Sequence, residues 1–131
     1  MIVVFGSLIA DLLFVVPRLP RPGETVLGER YLMAAGGKGA NQALAAARDG
    51  ARVAMAGAVG RDAFSDVVMG GLRAAGVDLT HVLSLDTPTG CAAVGVDGAG
   101  DNQIMVASGA NALARAEQVP DALLGPDTLL L

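Results

Sequence analysis

The residues best suited to do chemistry lie in one run of eight, Gly36-Gly37-Lys38-Gly39-Ala40-Asn41-Gln42-Ala43. Glycines ahead of a helix let the backbone approach a ligand with no Cβ in the way. The first N–H groups of that helix have no partner within it. Such a turn suits hydroxyls or an anion. Lys38 adds a donor and a positive charge, and Asn41 adds an amide that both donates to and accepts from a hydroxyl. Lys38 is the only lysine, the other eight basic residues being arginines. A compact ammonium is not interchangeable with a planar guanidinium, so a solitary lysine inside a glycine turn points to a ligand. The alternative is a solvent-exposed turn residue.

Two better-known glycine motifs fail on spacing. A phosphate-cradling P-loop has four residues between its first Gly and the Gly-Lys pair, with Ser or Thr next, but Gly39 follows Lys38. A dinucleotide fingerprint counted from Gly37 and Gly39 needs a third Gly or Ala where Gln42 stands.

The surrounding elements follow from hydrophobic patterning. Met1 to Ser7 predicts a buried first strand, with Leu12 to Val16 extending pairing beyond it. Pro17, Pro20, Pro22 and Gly23 make residues 17 to 24 an irregular connection, and Thr25 to Ala35 predicts another strand. Gly36 to Gly39 predicts a turn, and Ala40 to Asp49 a helix closed by Gly50. Val53 to Val59 follows as a strand, so strand, turn, helix and strand stand in βαβ order.

Asp62 predicts the cap of a second helix, with Phe64, Val67, Val68, Leu72 and Ala75 at helical spacing and Gly76 at its end. Leu79 to Leu85 predicts a strand. Thr89 to Val96 and Asn102 to Ala107 predict a hairpin turning at Asp97-Gly98-Ala99-Gly100. Ala112 to Leu124 predicts a helix limited or restarted at Pro120, and Leu129-Leu130-Leu131 predicts the opening of a buried strand.

Composition narrows the class. Hydrophobic residues make up 53% but aromatics only 3%, so the core must be built from Ala, Val, Leu and Gly, which suits close-packed α/β layers in one domain. A net charge of −4, with scattered basic residues, leaves no footprint for nucleic acid. Met1 to Val16 is apolar, but Gly6, Ser7 and Asp11 interrupt it, and no membrane span or membrane partner is expected. Cys91, the only cysteine, predicts a small buried apolar side chain and fits a cytoplasmic location. His81, the only histidine, predicts a surface strand position, and no metal site is expected.

Beyond the glycine run, Gly6-Ser7-x-x-Ala10-Asp11 and Pro22-Gly23-Glu24-Thr25 complete a pattern that resembles the ribokinase-like (phosphofructokinase-B type) carbohydrate kinases. Gly57-x-x-Gly60-x-Asp62, Ala75-Gly76-Val77-Asp78 and Gly109-Ala110-Asn111 add to it, and the likeness covers essentially the whole chain. The resemblance implies the N-terminal part of a ribokinase-like three-layer α/β sandwich, a partial kinase domain over residues 1–131. A small β-sheet lid would be built from segments of about 11–35 and 89–107, and relatives commonly form homodimers through it. It also implies that Asp11, Gly36, Gly37, Lys38 and Asn41 bind the substrate, Asp11 accepting from sugar hydroxyls. A carboxylate can accept from two adjacent hydroxyls at once; the alternative is a surface acid after a strand. Where ribokinases tend to carry Asn within the first of these motifs, this chain has Ile9, which puts ribose itself in question. Ala92, Val94, Ile104 and Val106 would cover the sugar or pack the core.

In the family the catalytic base is the Asp of a Gly-Ala-Gly-Asp motif opening a C-terminal helix. Gly98-Ala99-Gly100-Asp101 reproduces those letters, but in a predicted hairpin turn, where small and acidic residues are selected anyway. No catalytic residue is therefore assigned here. Relatives are at least about twice as long, so the nucleotide-binding half is expected to be absent, and the 131 residues alone should not turn over sugar. The full-length enzyme is expected to use ATP and Mg2+, with a monovalent cation as a further expectation, and this chain alone to bind no cofactor.

The leading expectation is thus the sugar-binding part of an ATP-dependent kinase acting on a primary hydroxyl of a small sugar. The alternative is a non-catalytic sugar-binding or dimerisation module derived from such a kinase. A small nucleotide-binding domain is a weaker third, since both glycine fingerprints fail.

Overall fold

A computed structural model describes all 131 residues. The strands are β1 (Ile2–Phe5), β2 (Ile9–Val15), β3 (Arg30–Gly36), β4 (Val53–Gly60), β5 (Asp78–Leu85), β6 (Gly90–Val96), β7 (Asn102–Ala107) and β8 (Leu129–Leu130). The helices are α1 (Lys38–Arg48) and α2 (Ala63–Ala74).

The strands form two sheets of four. The first, ordered β5-β4-β1-β8, is parallel throughout. Its inner strand β4 is buried at all eight positions, as a strand covered on both faces requires. Val53, Met55 and Val59 of β4 join Val4 of β1, Ala40 and Ala43 of α1, and Val68, Met69 and Leu72 of α2 in one core. The small residues of α1 let it lie close to the sheet. The second sheet, ordered β3-β2-β6-β7, consists of two antiparallel hairpins joined by parallel pairing of β2 with β6. Helix α2 contacts strands of both sheets, and Ala10 of β2 reaches the common core.

Three sequence expectations are corrected. The strand before the glycine turn does not form a βαβ unit with β4: β3 lies in the second sheet, while β4 pairs with β1. The two hairpin strands β2 and β3 leave the first sheet and return before α1 completes the crossover. Second, residues 112–124 do not form an α-helix. The segment is three short 3-10 helices, Gly109–Leu113, Ala116–Gln118 and Asp121–Leu123. Pro120 cannot donate within a helix, and the Gln118 amide donates instead to the carbonyls of Gly57 (2.6 Å) and His81 (3.1 Å). Third, Cys91 is half-buried rather than fully buried, while His81 stands half-buried in β5. The other boundaries shift modestly: β3 begins at Arg30 and α1 at Lys38.

The crossing from β5 into β6 is held by Asp62. Its carboxylate caps α2 by accepting from Ser65 N–H (3.1 Å) and also accepts from Thr89 N–H (2.8 Å) and the Thr89 hydroxyl (2.7 Å). Burial alone would raise the Asp62 carboxyl, but these donated hydrogen bonds outweigh it and leave the group below its ordinary 3.8. A carboxyl lowered by folding adds stability above its unfolded-state value, and that stability is lost as pH falls through the folded-state value. Asp62→Ala should therefore cost about 1–2 kcal/mol, the range for loss of a cap, in denaturant unfolding at neutral pH. The difference from wild type should shrink as pH falls below 3.8 and through the lowered folded-state value; a difference undiminished at the acid end would contradict this account.

Candidate functional site

The site lies where the second sheet meets the N-terminus of α1. Side chains alternate across a strand, so the spacing of two places Ile9 and Asp11 of β2, Ala92 and Val94 of β6, and Ile104 and Val106 of β7 on one face. This face forms one wall of a cleft of about 390 Å³. The other wall is polar: Ser7, Gly37, Lys38, Asn41, Ser108 and Asn111. Asp11, Lys38 and Asn41, far apart in sequence, thus share one opening. Its volume lies in the range of small-molecule sites.

Gly36 is placed differently. It is buried, does not line the cleft, and stands across the β2–β3 ladder so close to Asp11 that a Cβ would overlap the carboxylate. Its part is to leave room for Asp11. Gly37 does line the cleft, at φ 91°, where an L side chain is strained; a Cβ there would also meet Ser7 O at 2.5 Å.

The start of α1 is less open than the glycine turn suggests. No side chain of the helix caps it; Ser7 does so from the end of β1. The Ser7 hydroxyl accepts from Lys38 N–H (3.1 Å) and its carbonyl from Ala40 N–H (3.0 Å). Two first-turn donors are therefore committed to Ser7, and ligand recognition falls mainly to side chains.

The ionisable groups of the cleft are unpaired. The ion pairs of the structure are Arg18–Glu24, Arg61–Asp86 and Arg73–Asp66, and Asp11 and Lys38 belong to none of them. Asp11 is half-buried, its carboxylate accepts no hydrogen bond from the protein, and burial pushes it up from its ordinary 3.8. A partly desolvated acid without donors is what a polyhydroxy ligand can complete. The lining offers one carboxylate, one ammonium, two amides and two hydroxyls, a set of donors and acceptors that suits hydroxyl groups.

Gly98 to Asp101 forms the turn between β6 and β7. There Asp97 Oδ1 accepts from Ala99 N–H (2.9 Å) and Asp101 N–H (3.1 Å), and Gly100 takes φ 89°. Asp101 does not line the cleft.

Two residues were not singled out individually from sequence. Ser7 acts as a cap supplied from another element, and Asn111 both lines the cleft and holds the backbone at Leu8. The Gly-Ser and Gly-Ala-Asn groupings that contain them were the available signals.

Comparison with known proteins agrees with this architecture. The fold is the N-terminal part of the ribokinase-like α/β fold, as the structure of Arabidopsis thaliana ribokinase complexed with ribose and ATP shows: TM-score 0.76, 38% identity, covering 84% of this chain and 36% of that one. Residues 1–130 match the pfkB family of carbohydrate kinases, and the chain belongs to that family. Haemophilus influenzae ribokinase is 43% identical over 109 residues, covering 82% of this chain and 36% of the relative. Salmonella typhi deoxyribokinase is 35% identical over 122 residues, covering 92% and 40% respectively. The chain therefore spans well under half the length of these relatives. No helix is long and apolar enough to cross a membrane.

Proposed function

We propose that this chain is the sugar-binding part of an ATP-dependent carbohydrate kinase that phosphorylates a primary hydroxyl of a small sugar. The observation that carries the reading is Asp11: a half-buried, unpartnered carboxylate in one cleft with Lys38 and Asn41. In this reading Asp11 accepts from adjacent hydroxyls, the Lys38 ammonium donates, and Asn41 does both, fixing the sugar's orientation. The apolar face of the second sheet acts as a lid that keeps water from the sugar. ATP, bound with Mg2+ and a monovalent cation by residues outside this cleft, would supply the phosphoryl group. The enzyme would work in the cytoplasm.

In the full-length protein, Asp11→Ala or Lys38→Ala should raise KM for sugar by about 10–100-fold, the worth of a charged hydrogen bond. KM for ATP should stay within about twofold, because uniform sugar binding is what is lost. Equal effects on both substrates would count against the assignment.

Ile9 bears on which sugar is taken. It is nearly buried in the apolar wall, with its Cδ1 against Gly90, and offers no hydrogen bond to a hydroxyl facing it. A sugar bearing a C–H there is favoured over one with a hydroxyl, which would be left unpaired. Across a panel of pentoses, deoxypentoses and hexoses, Ile9→Asn should shift preference toward the more hydroxylated sugars by about tenfold, one net hydrogen bond. An unchanged ranking would remove Ile9 as a determinant.

Homodimerisation through the lid is part of the same proposal. The cleft-side face carries exposed Leu32, Ile104 and Val106, an apolar surface larger than the cleft itself needs. Sedimentation equilibrium should give twice the chain mass of 13.1 kDa, and Leu32→Asp should return the monomer. A monomeric wild type would exclude this assembly.

A non-catalytic sugar-binding or dimerisation module is the second reading, and it would use the same cleft and the same exposed apolar face. Reading the gene beyond Leu131 separates the two: a continuing frame with a Gly-Ala-Gly-Asp before a helix supports the kinase.

A further inference from the structure

The chain crosses between the two sheets or their helices four times: at Leu8 between β1 and β2, at Gly37 between β3 and α1, at Thr89 between β5 and β6, and at Ser108 after β7. The Thr89 crossing has its own anchor in Asp62. Two of the other three, at Leu8 and at Ser108, converge on one side chain. Asn111 Oδ1 accepts from Leu8 N–H (2.8 Å), and Asn111 Nδ2 donates to Leu8 O (2.8 Å) and to Ser108 O (3.0 Å). The same amide sits against Gly90 at the start of β6, where a Cβ would overlap Nδ2.

Leu8 is fully buried and lies outside both strand ladders, so the Asn111 amide satisfies both of its backbone groups. The bonded segment is flanked on one side by Ser7, which caps α1, and on the other by Ile9 and Asp11, which form the cleft wall. Gly37 packs on Ser7 O and Ile9 N from the far side. Asn111 therefore fixes the piece of backbone from which both walls of the cleft are suspended.

From this geometry we infer that Asn111 is a positioning residue for the sugar site: its amide locks the inbound and outbound crossings of the second sheet together and so sets Asp11 relative to Lys38 and Asn41. The assignment rests on the sugar-binding reading of the cleft. A side chain that merely stabilised the fold would have no preference between the two anchors of the sheet. A positioning residue would act on the ligand far more than the Asp62–Thr89 anchor does.

The test compares Asn111→Leu, which removes both bonds to Leu8, with Thr89→Val, which removes the hydroxyl that Gly60 N–H bonds at 2.8 Å and lies outside the cleft. Sugar affinity is measured on the 131-residue chain by calorimetry with D-ribose and 2-deoxy-D-ribose, amide exchange at Leu8 by NMR, and stability by denaturant. Asn111→Leu should weaken binding at least about tenfold and speed Leu8 exchange about 10–100-fold, the consequence of an orphaned buried group. Thr89→Val should lose comparable stability with affinity within about twofold.

Equal weakening by both variants, or Asn111→Leu binding as well as wild type, would overturn the inference. If Asn111→Leu does not fold, Asn111→Asp keeps the acceptor for Leu8 N–H but sets a charge against two carbonyls, and the same weakening is expected. A wild-type chain that binds neither sugar would sink the sugar-binding reading instead. The latch would then stand on accelerated Leu8 exchange in Asn111→Leu and fall without it.

Discussion

The whole arrangement depends on how closely the first turn of α1 approaches the junction of β1 and β2. A Cβ on Gly39 would lie 2.7 Å from Gly6 Cα and C and 2.8 Å from Ser7 N, and one on Gly37 would lie 2.9 Å from Ile9 N. These neighbours are backbone atoms that cannot rotate away, so a single methyl would force the helix and strand apart, at a cost of about 1–3 kcal/mol. Only at this separation can Ser7 cap the helix and the two walls of the cleft face one another. The glycine run is thus a packing requirement before it is a recognition motif.

Two half-buried carboxylates show what the surroundings do to one chemical group. Asp62 receives donors from Ser65 and Thr89 and is lowered; Asp11 receives none and is raised. The first is committed to holding the fold, and its bonds join α2 to the start of β6. The second accepts nothing from the chain, and its acceptor capacity is left open toward the cleft. Burial opposes ionisation in both, and the supply of N–H and O–H groups decides the outcome.

Much of this was legible in the sequence because it is local. The hairpin at Asp97 to Gly100, the Asp62 cap and the β4 strand each follow from patterns a few residues long, as does the strand at Leu129, although its leucines are exposed rather than buried as expected. Which sheet a strand joins is not local. Val53 to Val59 after a helix suggests pairing with the strand just before that helix, yet it pairs instead with β1, some 50 residues away, and with β5. The 109–124 segment misleads because its alanines favour helix, while hydrogen bonds to β4 and β5 and the proline divide it into short turns. Asp11, Lys38 and Asn41 could be proposed through family resemblance, whereas Asn111 acts across 103 positions, and nothing near it in sequence shows what it binds.

The second sheet is a composite of two hairpins whose middle strands run parallel, Ile9 beside Gly90 and Val15 beside Val96. Each hairpin can form alone from neighbouring residues, but joining them closes a loop of about 80 residues, an entropic cost that favours late assembly. The strands between them, β4 beside β1 and β5 beside β4, bring the two ends into range. By sequence separation, the cover of the cleft is expected to close late, on a layer that has already condensed.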